Sequence, residues 1–126
     1  MAKKKILIVD DDAVLTRLLK TVLERSERYE VYGVNKGALA LDAIKSFGPD
    51  LVLLDIDLPD VNGREICLTL NKDEILKKTP VIFLTGAVSS GDMQKGIDIL
   101  GRPAMCKPIH MEKLIEFIEK NLTSKA

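Results

Sequence analysis

Apolar and polar positions along this chain fall into short blocks of two kinds. Continuous apolar runs fill positions 6–9 (ILIV), 51–54 (LVLL) and 81–84 (VIFL), as expected of strands buried on both faces. Between them, apolar residues recur at helical spacing. Val14, Leu15, Leu18, Leu19, Val22 and Leu23 form one stripe, with Arg17, Lys20 and Glu24 on the other side and Asp12 placed to cap the first turn. Ala40, Ala43, Ile44 and Phe47 form a second, which ends at Gly48-Pro49. Ile66, Cys67 and Leu70 mark a third helix. Met111, Leu114, Ile115, Ile118 and Leu122 mark the last, with Glu116 and Lys120 paired on its outer face. Residues 31–34 and 104–106 are read as the second and fifth strands. Residues 89–100 are read as the remaining helix, although Gly91 and Gly96 each lower helix propensity by about 1 kcal/mol relative to Ala.

Five βα units in alternation imply a parallel sheet with helices on both faces and right-handed crossovers, a doubly wound α/β fold. At 126 residues one domain is expected, its core over about residues 4–122 and its ends loose. No linker composition marks a second domain, so no output domain is expected. A content of 46% hydrophobic and 30% charged residues is that of a globular protein. Nineteen basic and nineteen acidic side chains cancel, leaving no whole-domain field for nucleic acid or a membrane surface. Lys3, Lys4 and Lys5 precede only four apolar residues, too few for a signal-peptide core, and no run approaches a membrane span. A cytosolic (cytoplasmic) location is expected. Cys67 and Cys106 lack a CxxC or Cys/His setting and are read as reduced core thiols.

Candidate chemistry lies at the strand ends, since the crevice of an open parallel sheet opens beyond the carboxyl ends of its strands. Those ends present Asp10, Asp11 and Asp12, then Asp55 and Asp57, then Thr85, then Lys107. Asp12 and Asp60 are read as caps or ordinary loop polarity. Asp10, Asp11 and Asp55 demand more, because clustered carboxylates repel unless a cation or a shared proton compensates. Oxygen donors without His or Cys suit Mg²⁺, which takes one or two protein carboxylates together with phosphate oxygens. With Lys107 as a fixed positive charge, Thr85 as a hydroxyl donor and a carboxylate as nucleophile, the set points to phosphoryl transfer.

The residues that carry this chemistry resemble the receiver domain of response regulators in bacterial two-component systems, of the single-domain chemotaxis-regulator kind. The match rests on ILIVDDD at 6–12, LVLLDIDLPDVNG at 51–63, VIFLTGA at 81–87 and CKP at 106–108, in the family's order over nearly the whole chain. The resemblance implies a flavodoxin-like sheet of strand order 2-1-3-4-5. It makes Asp55 the phosphoacceptor, with Asp10 and Asp11 holding Mg²⁺ together with Asp55 and the backbone carbonyl of Asp57. Lys107 would neutralise phosphoryl oxygens, and Thr85 would be the switch hydroxyl. The Lys107-Pro108 bond would be cis, and Gly63 would allow the turn into the third helix. The donor would be a phosphohistidine of a sensor histidine kinase or histidine phosphotransfer domain, and the output a phosphorylation-dependent conformational change read by a downstream protein target. The chain would not be an enzyme beyond its own phosphorylation and dephosphorylation, whose rate the Asp57 side chain and the small Ala87 would tune.

Two features depart from that pattern, the acidic Asp57 two residues past the acceptor and the stretch that precedes Lys107. Ala104 stands where the family has Tyr or Phe, and ILGRPAM at 99–105 replaces the usual Gly-Ala-Asp-Asp approach. The aromatic half of the switch is then missing, and the signal is expected to leave through Thr85 and the loop at 87–91. Three rival readings share parts of this pattern. A phosphorylation-independent interaction module would keep the fold and lose the switch. A haloacid-dehalogenase-type phosphatase shares the Asp55-x-Asp57 spacing but carries it on its first strand, without a following Pro59. A flavodoxin-like electron carrier is set aside, because Asp10, Asp11 and Asp12 occupy its phosphate loop and the chain has only three Phe and two Tyr. His110, the sole histidine, is read as a solvated residue at the start of the last helix, so the donor histidine belongs to a partner.

Overall fold

The computed structural model describes residues 3–86 and 98–123. In chain order the elements are β1 (Lys4–Val9), α1 (Ala13–Glu24), β2 (Tyr29–Val34), α2 (Ala40–Phe47), β3 (Leu51–Asp55), α3 (Gly63–Asn71), β4 (Val81–Thr85), β5 (Asp98–Ile99), β6 (Arg102–Cys106) and α4 (Met111–Thr123). The sheet order is β2-β1-β3-β4-β6-β5. Its first five strands are parallel, in the 2-1-3-4-5 order expected, with β6 in the fifth place.

Successive strand residues point to opposite faces, and each apolar run uses both. Leu7, Val9, Val52, Leu54, Val81 and Phe83 pack with Ala40, Ala43 and Ile44 of α2 and Ile66, Cys67 and Leu70 of α3. Ile6, Ile8, Leu51, Leu53, Ile82 and Leu84 pack with Leu19 and Leu23 of α1 and Leu114 and Ile118 of α4. The result is a three-layer sandwich. Its sheet order reverses at β1 and β3, which places the crevice beyond Val9 and Asp55.

Helix boundaries follow local chemistry. Asp12 caps α1, its Oδ1 accepting the N–H groups of Val14 and Leu15 at 3.0 and 3.1 Å. The cap of α3 is Asn62, which accepts the Arg64 N–H at 2.8 Å. Asp60 instead reaches back to the turn before α2, accepting the N–H groups of Gly37 and Ala38, each at 3.0 Å. Those two donors hold its carboxyl below the usual carboxylate range. Gly48 ends α2 in the left-handed conformation, φ 63°.

Three expectations change. Val14 and Leu18 do not belong to the buried stripe of α1, being 75% and 50% exposed. The helix turns Thr16, Leu19 and Leu23 inward instead. Gly33 of β2 makes room for this rotation, since a Cβ there would lie 2.4 Å from Thr16 Cγ2. Residues 98–99, expected to be helical, form a strand antiparallel to β6. The connection is the two-residue turn Leu100-Gly101, both at positive φ, a geometry whose twist suits a tight hairpin. The rest of that expected helix lies outside the described residues. Cys67 is buried as expected, whereas Cys106 is partly exposed, and neither forms a disulfide. No described helix is long and apolar enough to cross a membrane.

Arg102, at the start of β6, ties the far side of the sheet together. Its guanidinium donates to the carbonyls of Thr79 and Lys77 and to Asn71 Oδ1 at 2.6, 2.9 and 2.8 Å. Gly63 has no space for a side chain, since a Cβ there would meet the Asp55 carbonyl oxygen at 2.3 Å and Ile56 Cα at 2.9 Å. Gly63→Ala is expected to destabilise the fold by about 1–3 kcal/mol, read as a lower urea midpoint at unchanged slope; an unchanged midpoint would refute the contact. Because the Asp60 carboxyl is held low, its contribution is present above the unfolded carboxylate range and is lost as pH falls through the folded value. The stability gap between wild type and Asp60→Asn should therefore close on acidification, and a pH-independent gap in denaturation curves would contradict this.

Candidate functional site

The site begins where β1 runs out of apolar residues. Asp10 follows Val9 directly and is fully buried, because its N–H is bound by the Val34 carbonyl at 3.1 Å and so stays within the sheet. Its Oδ1 accepts the Asp12 N–H at 2.9 Å, so the same turn that caps α1 also aims this carboxylate. Asp55 closes β3, 2% exposed, and its Oδ1 accepts the Asp57 N–H at 3.0 Å. Thr85 closes β4, 1% exposed, paired in register with Cys106. Its carbonyl accepts the Lys107 N–H at 2.8 Å, which fixes where the lysine leaves the sheet. The Lys107-Pro108 peptide bond is cis, as expected.

Lys107 bridges the buried acids. Its Nζ lies 2.9 Å from Asp10 Oδ2 and 3.3 Å from Asp55 Oδ2. Burial works against the charged ammonium, but the hydrogen bond and charge of Asp10 and the charge of Asp55 outweigh it, and the lysine is held above its ordinary value. Asp55 is pushed up by burial; the Asp57 N–H and Lys107 oppose this, and the charge of Asp10 adds to it. One ammonium thus serves two buried carboxylates, with exposed Asp11 beside them.

Asp10, Asp11 and Asp55 each offer an oxygen within 4.8 Å of the others. Asp10 Oδ2 is fully buried, and its described partner is the Lys107 ammonium, which leaves a lone pair of this oxygen open. An oxygen-only donor set with an orphaned buried lone pair and excess negative charge fits a hard divalent cation.

The structure therefore brings Asp10, Asp11, Asp55 and Lys107 together, with Asp57 joined through its N–H and Thr85 through the strand-end bond to Lys107. The Asp57 side chain is exposed. Ala87 and the 87–91 loop lie outside the described residues. Two supporting residues escaped the sequence reading. Asn35 donates to the Asp10 carbonyl at 2.8 Å and to Thr16 Oγ1 at 3.3 Å, and Thr16 Oγ1 donates to the carbonyls of Asp12 at 2.9 Å and Asp10 at 3.4 Å. Together they brace the acidic turn from below. Their only signal was a polar residue directly after the second strand and a threonine inside a leucine stripe.

Residues 6–119 match the model of the response regulator receiver domain. The nisin biosynthesis regulatory protein NisR of Lactococcus lactis is 36% identical over 118 residues, 94% of this chain and 50% of that protein. The DNA-binding response regulator MtrA of Mycobacterium tuberculosis is 33% identical over 120 residues, 95% of this chain and 51% of that protein. The chain thus spans about half the length of these curated relatives. Among solved structures, a CheY-like response regulator receiver domain protein from Methanospirillum hungatei superposes with a TM-score of 0.81 at 30% identity, covering 98% of this chain and 97% of that one. A sheet ordered 2-1-3-4-5, with acids at the ends of its first and third strands and a lysine after the last parallel one, agrees with these matches: the chain belongs to the response regulator receiver domain family.

Proposed function

We propose that this chain is the phosphoryl-accepting unit of a two-component relay and that Asp55 is the acceptor. The observation that carries the reading is the placement of Asp55: a nearly buried carboxylate at a strand end, one oxygen oriented by the Asp57 N–H and the other facing Lys107. A carboxylate oxygen of Asp55 attacks the phosphorus of a phosphohistidine on a partner kinase or phosphotransfer domain. The P–N bond breaks, its electron pair returns to the imidazole, and an acyl phosphate forms on Asp55. Asp10, Asp11 and Asp55, with the Asp57 backbone carbonyl, would hold Mg²⁺, which when bound supplies positive charge for the phosphoryl oxygens. Lys107 supplies the second cation. Its ammonium already lies within reach of Asp55, so neutralising the new phosphoryl group requires little reorganisation.

Readout then falls to Thr85. Ala104, where the family has an aromatic residue, is buried opposite Phe83 in the β4–β6 register and offers no ring to rotate. Thr85 instead couples through its own carbonyl to the Lys107 N–H, so a shift of this strand end toward the phosphoryl group moves the lysine segment with it. The downstream target is a protein that reads this change.

Intact mass after incubation with acetyl phosphate or phosphoramidate tests the reading. The expected result is a single labile phosphoryl adduct that needs Mg²⁺ and is absent in Asp55→Asn. No adduct, with donors and ion proven competent on a control receiver, would favour an interaction module that has kept the site without its chemistry. The Asp57 side chain is exposed two residues past the acceptor, where it would act on the water that attacks the phosphoryl group, so Asp57→Asn should change the dephosphorylation rate more than the phosphorylation rate. Equal effects on both rates in single-turnover measurements would reject that role.

A further inference from the structure

β2 ends the sheet, and an end strand leaves half of its backbone groups unpaired by any neighbour. The Val34 carbonyl accepts the Asp10 N–H at 3.1 Å, and the carbonyl of Arg28, just before β2, accepts the Lys4 N–H at 3.0 Å. Even-numbered positions therefore turn their backbone toward β1. By alternation, Tyr29, Val31 and Gly33 turn theirs to the open edge.

At the middle of that edge, two side chains of α1 take the place of a strand. The Val31 carbonyl accepts from Lys20 Nζ at 2.8 Å, and the Val31 N–H donates to Glu24 Oε2 at 3.1 Å. Lys20 and Glu24 are one helical turn apart and pair with each other at 3.3 Å. An exposed pair of this kind adds little stability by itself. Here its two ends satisfy the donor and acceptor of a single edge residue, which is what a neighbouring strand would do.

We infer that Lys20 and Glu24 close the free edge of β2 against strand addition, and that the partner they exclude is a second copy of this chain. The strand itself argues for that occupant. YEVYGV is rich in residues favoured in strands. Two copies placed antiparallel about Val31 set Tyr29 against Gly33 and Glu30 against Tyr32, so no like charges oppose each other and one patch serves both copies. Nothing in the pattern repels the second copy except the occupied groups of Val31.

The test compares wild type, Lys20→Met and Lys20→Ala/Glu24→Ala by sedimentation over a dilution series and by amide exchange at Val31. Wild type should be monomeric through β2, with a slowly exchanging Val31 amide. In the double variant that amide should exchange roughly tenfold or more faster at high dilution, the scale of a lost hydrogen bond to a charged group. It should slow again as a dimer forms on concentration. Lys20→Met, which keeps Glu24 and the helix, should associate more weakly than the double variant. Folded variants that stay monomeric at every concentration would overturn the inference, as would association that leaves Val31 unprotected. Loss of the fold in both variants would overturn it too, because the pair would then hold β2 in place instead of guarding its edge.

Discussion

Everything in this molecule that bears on chemistry depends on holding two carboxylates, Asp10 and Asp55, at adjacent buried strand ends with one ammonium between them. Two unit charges 4 Å apart interact with about 4 kcal/mol at an effective dielectric of 20, so the pair cannot be left uncompensated. Lys107 supplies the compensation from across the sheet, and the N–H groups of Asp12 and Asp57 take up one oxygen of each acid. What remains is a net negative cluster with Asp11 at its open side and a buried lone pair on Asp10. That surplus negative charge is what the proposed cation would compensate.

The fold meets this demand through register. Asp10 and Asp55 are neighbours because β1 and β3 are, pairing from Ile6 with Leu51 to Val9 with Leu54. Lys107 arrives through β4, whose Leu84 carbonyl binds the Ile56 N–H and whose Thr85 carbonyl binds the Lys107 N–H. A one-residue slip in any of these pairings would turn the strand's side chains to the opposite face. The apolar runs guard against it, because both faces of every central strand are committed to one of two cores. Below the site, Thr16 and Asn35 brace the acidic turn, and beside it Gly63 lets α3 start against the Asp55 carbonyl. The glycine is thus a packing requirement of the carboxyl end of β3.

Much of this was legible in the sequence, for physical reasons. Runs such as ILIV and LVLL announce strands buried on two faces, and acids placed directly after them can only lie at the carboxyl edge of a parallel sheet. The fold class and the meeting of Asp10, Asp11, Asp55 and Lys107 followed from that, and the strand order from the resemblance to receiver domains. What was not legible depended on rotation and on distant partners. Leucines at 15 and 18 look equivalent to one at 19 until Gly33 decides which side of α1 approaches the sheet. Asp60 reads as a cap or ordinary loop polarity, and its donors prove to be Gly37 and Ala38, more than twenty positions earlier. The β5–β6 hairpin rests on Leu100 accepting a positive φ, which no propensity for leucine foretells.

The proposed transfer makes Asp55, among the acids gathered at the crevice, the nucleophile. Reducing the phosphorylated wild-type chain with borohydride converts an aspartyl phosphate to homoserine, and peptide mass spectrometry then locates the residue. The expected product is homoserine at position 55 alone. Homoserine at Asp10, Asp11 or Asp57, or its absence from a chain that demonstrably carries phosphate, would contradict it.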